Sequence, residues 1–115
     1  VVIDEAALRR PIGGPKIMRA QIEHLLELMN QPWLTLQLMP FDFGGHAADG
    51  GAFSILRFPE RDMSDVVYLE QLTGAAYLDK REEVDRYMEA MDRLCVDSLT
   101  PARTAEVLRK IANSL

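Results

Sequence analysis

The sequence predicts an α+β fold: an antiparallel β-meander sheet packed against one N-terminal and two C-terminal helices. Three observations carry this. Apolar and polar residues alternate through residues 34–39, 52–58 and 65–72, the period of strands with one well-buried face. Apolar residues recur at helical spacing in the first third and again in the last third. The connections between consecutive strand-like runs are short, which favours an antiparallel meander over βαβ crossovers. A chain of 115 residues, 48% of them hydrophobic, can build one core, so residues 1–115 read as a single domain.

The elements follow in order. Val1, Val2 and Ile3 form a short apolar strand, and residues 4–8 fit either a helical turn or its continuation. A strand opening at the first residue, with no initiator methionine, suggests sequence upstream. After the break between Pro11 and Pro15, a helix starts near Gly14 with Pro15 at its first position, where the missing N–H costs little. Met18, Ile22, Leu25, Leu26 and Met29 mark its apolar face, and Asn30, Gln31 and Pro32 end it. Strands are expected at 34–39, 52–58, 65–72 and 75–78, with Pro59 to Asp62 and Thr73-Gly74 as turns. Between the first two of these lies Asp42 to Gly51, a turn with four glycines, which permit positive φ and close backbone approach.

The last third is helical. Asp79 and Glu82 have capping-box spacing. Val84, Tyr87, Met88, Met91, Leu94, Cys95 and Leu99 make a stripe of helical period, which predicts a buried thiol at Cys95. Thr100-Pro101 restarts a helix, Thr100 as its N-cap, with Ala105, Leu108, Ile111, Ala112 and Leu115 on its apolar face.

Composition excludes several function classes. The net charge of −5 argues against this chain gripping a phosphate backbone by itself, and Arg9, Arg10 and Lys16 form at most a small basic patch. One cysteine permits no internal disulfide and no thiolate cluster. There is no apolar run long enough to span a bilayer and no secretion signal, so cytoplasmic residence and no membrane partner are expected. Histidines 24 and 46 come from different elements without metal-ligand spacing, and His24, at the edge of a helix stripe, reads as a packing or hydrogen-bonding residue. The paired glycines do not lead into a helix as a phosphate loop would, and Gly13-Gly14-Pro15-Lys16 matches no nucleotide fingerprint. No cofactor and no catalytic residue are therefore assigned. His46 with a nearby carboxylate, Asp42 in the same loop or Glu70 at a strand end, could do proton transfer, but Ser54, Ser64 and Ser98 lie in no nucleophile motif. What remains is an apolar pocket near the glycine turn, its candidate ligand-binding residues being Phe41, His46, Phe53, Tyr68 and Glu70. Phe43, Phe58, Trp33 and Arg57 are near it in sequence.

A wider pattern runs along the chain. Val2-Ile3-Asp4-Glu5-Ala6-Ala7-Leu8-Arg9-Arg10-Pro11-Ile12-Gly13-Gly14 is followed by Met18-Arg19-Ala20-Gln21-Ile22-Glu23-His24-Leu25-Leu26-Glu27-Leu28. Then come Leu36-Gln37-Leu38-Met39-Pro40-Phe41, Gly50-Gly51-Ala52-Phe53-Ser54-Ile55-Leu56 and Val66-Val67-Tyr68-Leu69-Glu70. This ordered set, covering nearly the whole chain, resembles the uncharacterised C-terminal domain of actinobacterial helix-turn-helix transcriptional regulators of the xenobiotic-response-element type, abundant in streptomycetes. The resemblance implies an upstream DNA-binding head, so DNA is engaged only through a domain absent here and no DNA-binding residue is assigned. It also implies a regulatory or effector-sensing role and, from neighbouring genes in the family, a small partner protein.

Three functional expectations result. The first is a domain that senses a small-molecule effector or small partner protein. The second is a dimerisation or docking module that uses the apolar faces of residues 84–99 and 102–115 to hold a second copy, as a homodimer, or a partner. The third, a hydrolase built on His46 and Glu70, lacks a nucleophile and a metal motif.

Overall fold

Asp4 decides how the chain leaves its first strand. The computed structural model describes residues 1–48 and 50–115; Asp49, within the expected glycine turn, lies outside the described residues. Strand β1 (Val2–Asp4) runs directly into helix α1 (Glu5–Arg9), because the Asp4 carboxylate accepts the Ala6 N–H at 2.9 Å and caps the helix start. An ion pair from Glu5 to Arg9, 3.0 Å, spans its single turn. Helix α2 (Pro15–Leu28) begins where the sequence places it. Gly14 is the N-cap at φ 96°, a conformation natural to glycine, and Pro15 follows at the first helical position. Met18 and Ile22 are buried, whereas His24 is on the exposed side, 4.0 Å from Glu27.

The second strand is where the structure departs from the expected meander. Strand β2 (Gln37–Met39) pairs in parallel with β1, with Val2 opposite Gln37, Ile3 opposite Leu38 and Asp4 opposite Met39. Two helices lie between these strands, and a helical crossover returns the chain in its original direction, whereas only a tight turn reverses it. Antiparallel pairing is left to β3 (Ser54–Leu56), β4 (Val66–Gln71) and β5 (Gly74–Leu78), which form a three-stranded sheet in that order. The fold class is thus α+β with antiparallel pairing, as read from sequence, but the antiparallel sheet has three strands and leaves out residues 34–39. The parallel pair is an addition, and of the two readings of residues 4–8 the structure takes the helical turn.

Two long helices complete the chain, α3 (Arg81–Asp97) and α4 (Pro101–Asn113). Helix α3 starts at Arg81, with the Lys80 carbonyl accepting the Val84 N–H, a residue later than a cap at Asp79 would give. Helix α4 starts as expected: the Thr100 hydroxyl accepts the Arg103 N–H at 3.3 Å and Pro101 follows.

The chain divides into two compact units, one of Val1–Gly44 with Cys95–Leu115 and one of Gly45–Leu94. The first has a continuous apolar core of Leu8, Met18, Ile22, Leu36, Leu38, Leu108, Ile111 and Ala112. Of the α4 stripe, Leu108, Ile111 and Ala112 are therefore buried within their own unit, whereas Ala105 is half-buried and Leu115, past the helix end, is exposed. Strand β2 is fixed there on its second edge too. The Leu38 N–H donates to the hydroxyl of fully buried Thr104 at 2.9 Å, and the Leu38 carbonyl accepts the Leu99 N–H at 2.8 Å. The Gln37 side-chain amide donates to the carbonyls of Cys95 and Leu99.

In the second unit, Val67, Val84 and Leu94 are buried. Tyr68 faces Tyr77 across β4 and β5, ring centroids 5.1 Å apart. Cys95 is exposed, contrary to the expected buried thiol. Leu94 takes the inward position, and the next residue on a helix points about 100° away from it.

Thr104→Val keeps the shape but leaves the Leu38 amide without an acceptor. Urea unfolding should show a loss of about 1–3 kcal/mol with an unchanged m-value, and Thr104→Ser should retain most of the stability. The Cys95 thiol should react stoichiometrically with a disulfide reagent in buffer alone, without denaturant; protection until unfolding would contradict its exposure.

Candidate functional site

The Gly45–Leu94 unit holds a cleft of about 630 Å³, bounded by three pieces of chain. One comprises the loop residues Ala47, Ala48, Gly50, Gly51, Ala52 and Phe53, another the strand residues Leu69, Glu70, Gln71 and Leu78, and the third one side of α3. Helical spacing supplies the last of these, since Glu83, Arg86, Tyr87 and Ala90 recur at three- and four-residue intervals on one face. The loop is shaped by Gly51 at φ 135° and, further upstream, Gly44 at φ 81°. A methyl group at Gly44, Gly50 or Gly51 would meet no atom within 4 Å. Glycine at 44 and 51 thus answers to backbone conformation, not to the close approach the sequence suggested.

Phe53 and Tyr87 form the aromatic wall, edge to face with centroids 5.0 Å apart and planes at 66°. Glu70, Glu83 and Arg86 bring charge of both signs. Elsewhere Arg9–Glu5, Arg19–Glu23 and Arg103–Glu106 close as ion pairs at helical spacing. Arg86 does not, although Glu82 and Glu83 lie one turn away on the same helix. Among the described residues none of Glu70, Glu83 and Arg86 has an ion pair or a hydrogen-bond partner.

Of the five residues chosen from sequence, the cleft collects two, Phe53 and Glu70. Phe41 belongs to a 3-10 turn, Phe41–Phe43, in the other unit; its N–H donates to a Glu5 carboxylate oxygen at 3.2 Å and its ring is exposed. His46 folds back on its own loop, Nδ1 accepting the Ala48 N–H at 3.1 Å. Tyr68 is occupied with Tyr77 and does not line the cleft. Arg57 is paired with Asp65 at 3.3 Å. Glu83, Arg86, Tyr87 and Ala90 were missed. Their only signal was charges of both signs flanking the apolar stripe at Tyr87.

Tyr68 nevertheless reports on the site. Its phenol is pushed above the ordinary 10.0, first by partial burial, then by the carboxylate of Glu70 and by Tyr77. Among the described residues no group of three or more His, Cys, Asp or Glu side chains could hold a metal ion. Among the described residues, no helix is long and apolar enough to cross a membrane.

The family model of a domain of unknown function, DUF5753, matches residues 1–110. The chain belongs to the DUF5753 family. No curated protein matches this DUF5753 chain, and no solved structure does.

Glu70→Gln should bring the Tyr68 phenol back toward 10.0 without reaching it, because burial, the larger cause, persists. Ultraviolet absorbance titration, with Tyr77→Phe to isolate the Tyr68 signal from its neighbour, checks this. Since the native phenol holds its proton more tightly than the unfolded chain does, its stabilising contribution is complete below pH 10.0 and is lost as pH rises through the native value.

Proposed function

We propose that this DUF5753 chain is the effector-sensing, regulatory part of a helix-turn-helix transcriptional regulator, that it is not an enzyme, and that it works in the cytoplasm. The observation that carries the reading is the cleft of the Gly45–Leu94 unit. Its volume of about 630 Å³ falls in the range of small-molecule sites, roughly 300–1,000 Å³. Its lining combines an aromatic pair with a few charges that no neighbouring side chain neutralises. The net charge of −5 supports leaving DNA contact to another domain. The sequence resemblance supplies the nature of that domain, a xenobiotic-response-element-type head of the actinobacterial kind.

The physical logic is linkage. A ligand that prefers one arrangement of the sensing domain shifts the population of attached DNA-binding heads by its differential affinity, typically about 1–3 kcal/mol. A second reading, docking of another copy or of a small partner protein, rests on a different observation. Leu56 and Tyr77 are exposed on the three-stranded sheet, and Tyr77 is 68% accessible. Leu108, Ile111 and Ala112 of the α4 stripe, by contrast, are consumed by their own core.

A thermal-shift screen of small molecules tests the first reading. A compound at 100 times its Kd should stabilise the protein by about 2.7 kcal/mol. Phe53→Ala should abolish that shift, with Phe53→Leu as the control for folding. The same compound should change the affinity of the full-length regulator for its operator. Loss of support would come from compounds that stabilise wild type and Phe53→Ala alike, or from a screen with no stabilising compound.

A further inference from the structure

The charges of the cleft say more than that it binds something. Glu83 and Arg86 lie three residues apart on α3 and both line the cleft, yet they form no ion pair with each other. Nor does either have a hydrogen-bond partner among the described residues. Arg86 lies within one turn of a second carboxylate, Glu82, and still does not pair. Opposite charges at this spacing on an exposed helix gain from meeting, as three other pairs in the chain do. Where they face the same concave surface and remain separate, a guest that carries both signs satisfies both.

We infer that the cleft takes a zwitterionic ligand with an apolar body, of the class of short hydrophobic peptides. The ligand carboxylate sits on the Arg86 guanidinium, whose planar fork matches it. The ligand ammonium sits on the Glu83 carboxylate. The apolar body lies against Phe53 and Tyr87, and Leu69 and Leu78 extend the apolar lining. Gln71, also in the lining, offers an amide to a peptide group. The scale agrees. Side chains three residues apart on a helix have Cβ atoms about 5–6 Å apart, and the termini of an extended dipeptide are separated by about 7 Å. A purely anionic ligand would leave Glu83 opposed, and a purely cationic one would leave Arg86 opposed. This inference deepens the effector-sensing reading and rests on it.

The test is calorimetric titration of this chain with phenylalanyl-leucine in three forms: free, N-acetylated and C-amidated. The free dipeptide should bind, and each blocked form should bind about tenfold more weakly. R86Q should erase the difference between the free and amidated forms, and E83Q that between the free and acetylated forms. Circular dichroism confirms that both variants are folded, and the comparison of blocked peptides on wild type needs no variant at all. Equal binding of all three forms, or a penalty for blocking one end only, overturns the zwitterion assignment while leaving a ligand-binding cleft in place. So does binding of none of them when another compound stabilises the chain in a Phe53-dependent way. Failure of every compound overturns the sensing reading as well.

Discussion

Strand β2 is the constraint on which the first unit depends. It has only three residues, yet both of its edges are satisfied. Strand β1 takes one edge through a parallel ladder, and the backbone of Leu38 meets Thr104 and Leu99 on the other. A two-stranded parallel sheet is not an independent unit, because its outer N–H and C=O groups need partners. Here a buried hydroxyl and the amide just before α4 provide them. The same two contacts bring α4 against β2, so Leu108, Ile111 and Ala112 close over Leu36 and Leu38. Polar satisfaction and apolar burial are thus achieved by the same helix.

Much of this fold could be read from the chain, and the reasons differ by element. Helices α2 and α4 announce themselves by local chemistry: Gly14-Pro15 and Thr100-Pro101 form caps within a few residues, and the stripes behind them are regular. Strands β3 to β5 are legible because hairpins join residues close in sequence, as Tyr68 and Tyr77 show. The partner of β2 is not legible in this way. Alternation of Leu34, Leu36 and Leu38 tells which side is buried, but says nothing about which strand lies alongside. That choice is made by the helical crossover and by Thr104, 66 residues away from Leu38. Cys95 fails for a different reason. It adjoins the inward Leu94, and a stripe drawn wide enough to include both overstates the buried arc.

The cleft was half legible. Phe53 and Glu70 lie beside the glycine-bearing loop or on β4, where the local pattern is informative. Glu83, Arg86 and Tyr87 approach from a helix remote in sequence, where a mixture of charges reads as ordinary solvated surface. Phe41 and Tyr68 show the limit of gathering aromatics by proximity along the chain. Phe41 falls in a different unit, and Tyr68 is held by a cross-strand neighbour. His46, an attractive imidazole in the primary sequence, is partly spent on the turn that contains it.

The Gly45–Leu94 unit has a slight interior. Its fully covered apolar side chains among the described residues are Val67, Val84 and Leu94, and much of the rest is only half enclosed. Regions with so little enclosed hydrocarbon open at small free-energy cost, as cooperative pieces, well before the whole molecule unfolds. A guest lodged against Phe53 and Tyr87 would add apolar enclosure where the protein itself has least. Under the proposed sensing role, occupancy would change how often this piece breathes as well as what it touches, and a signal carried by stiffness needs no large displacement of any atom.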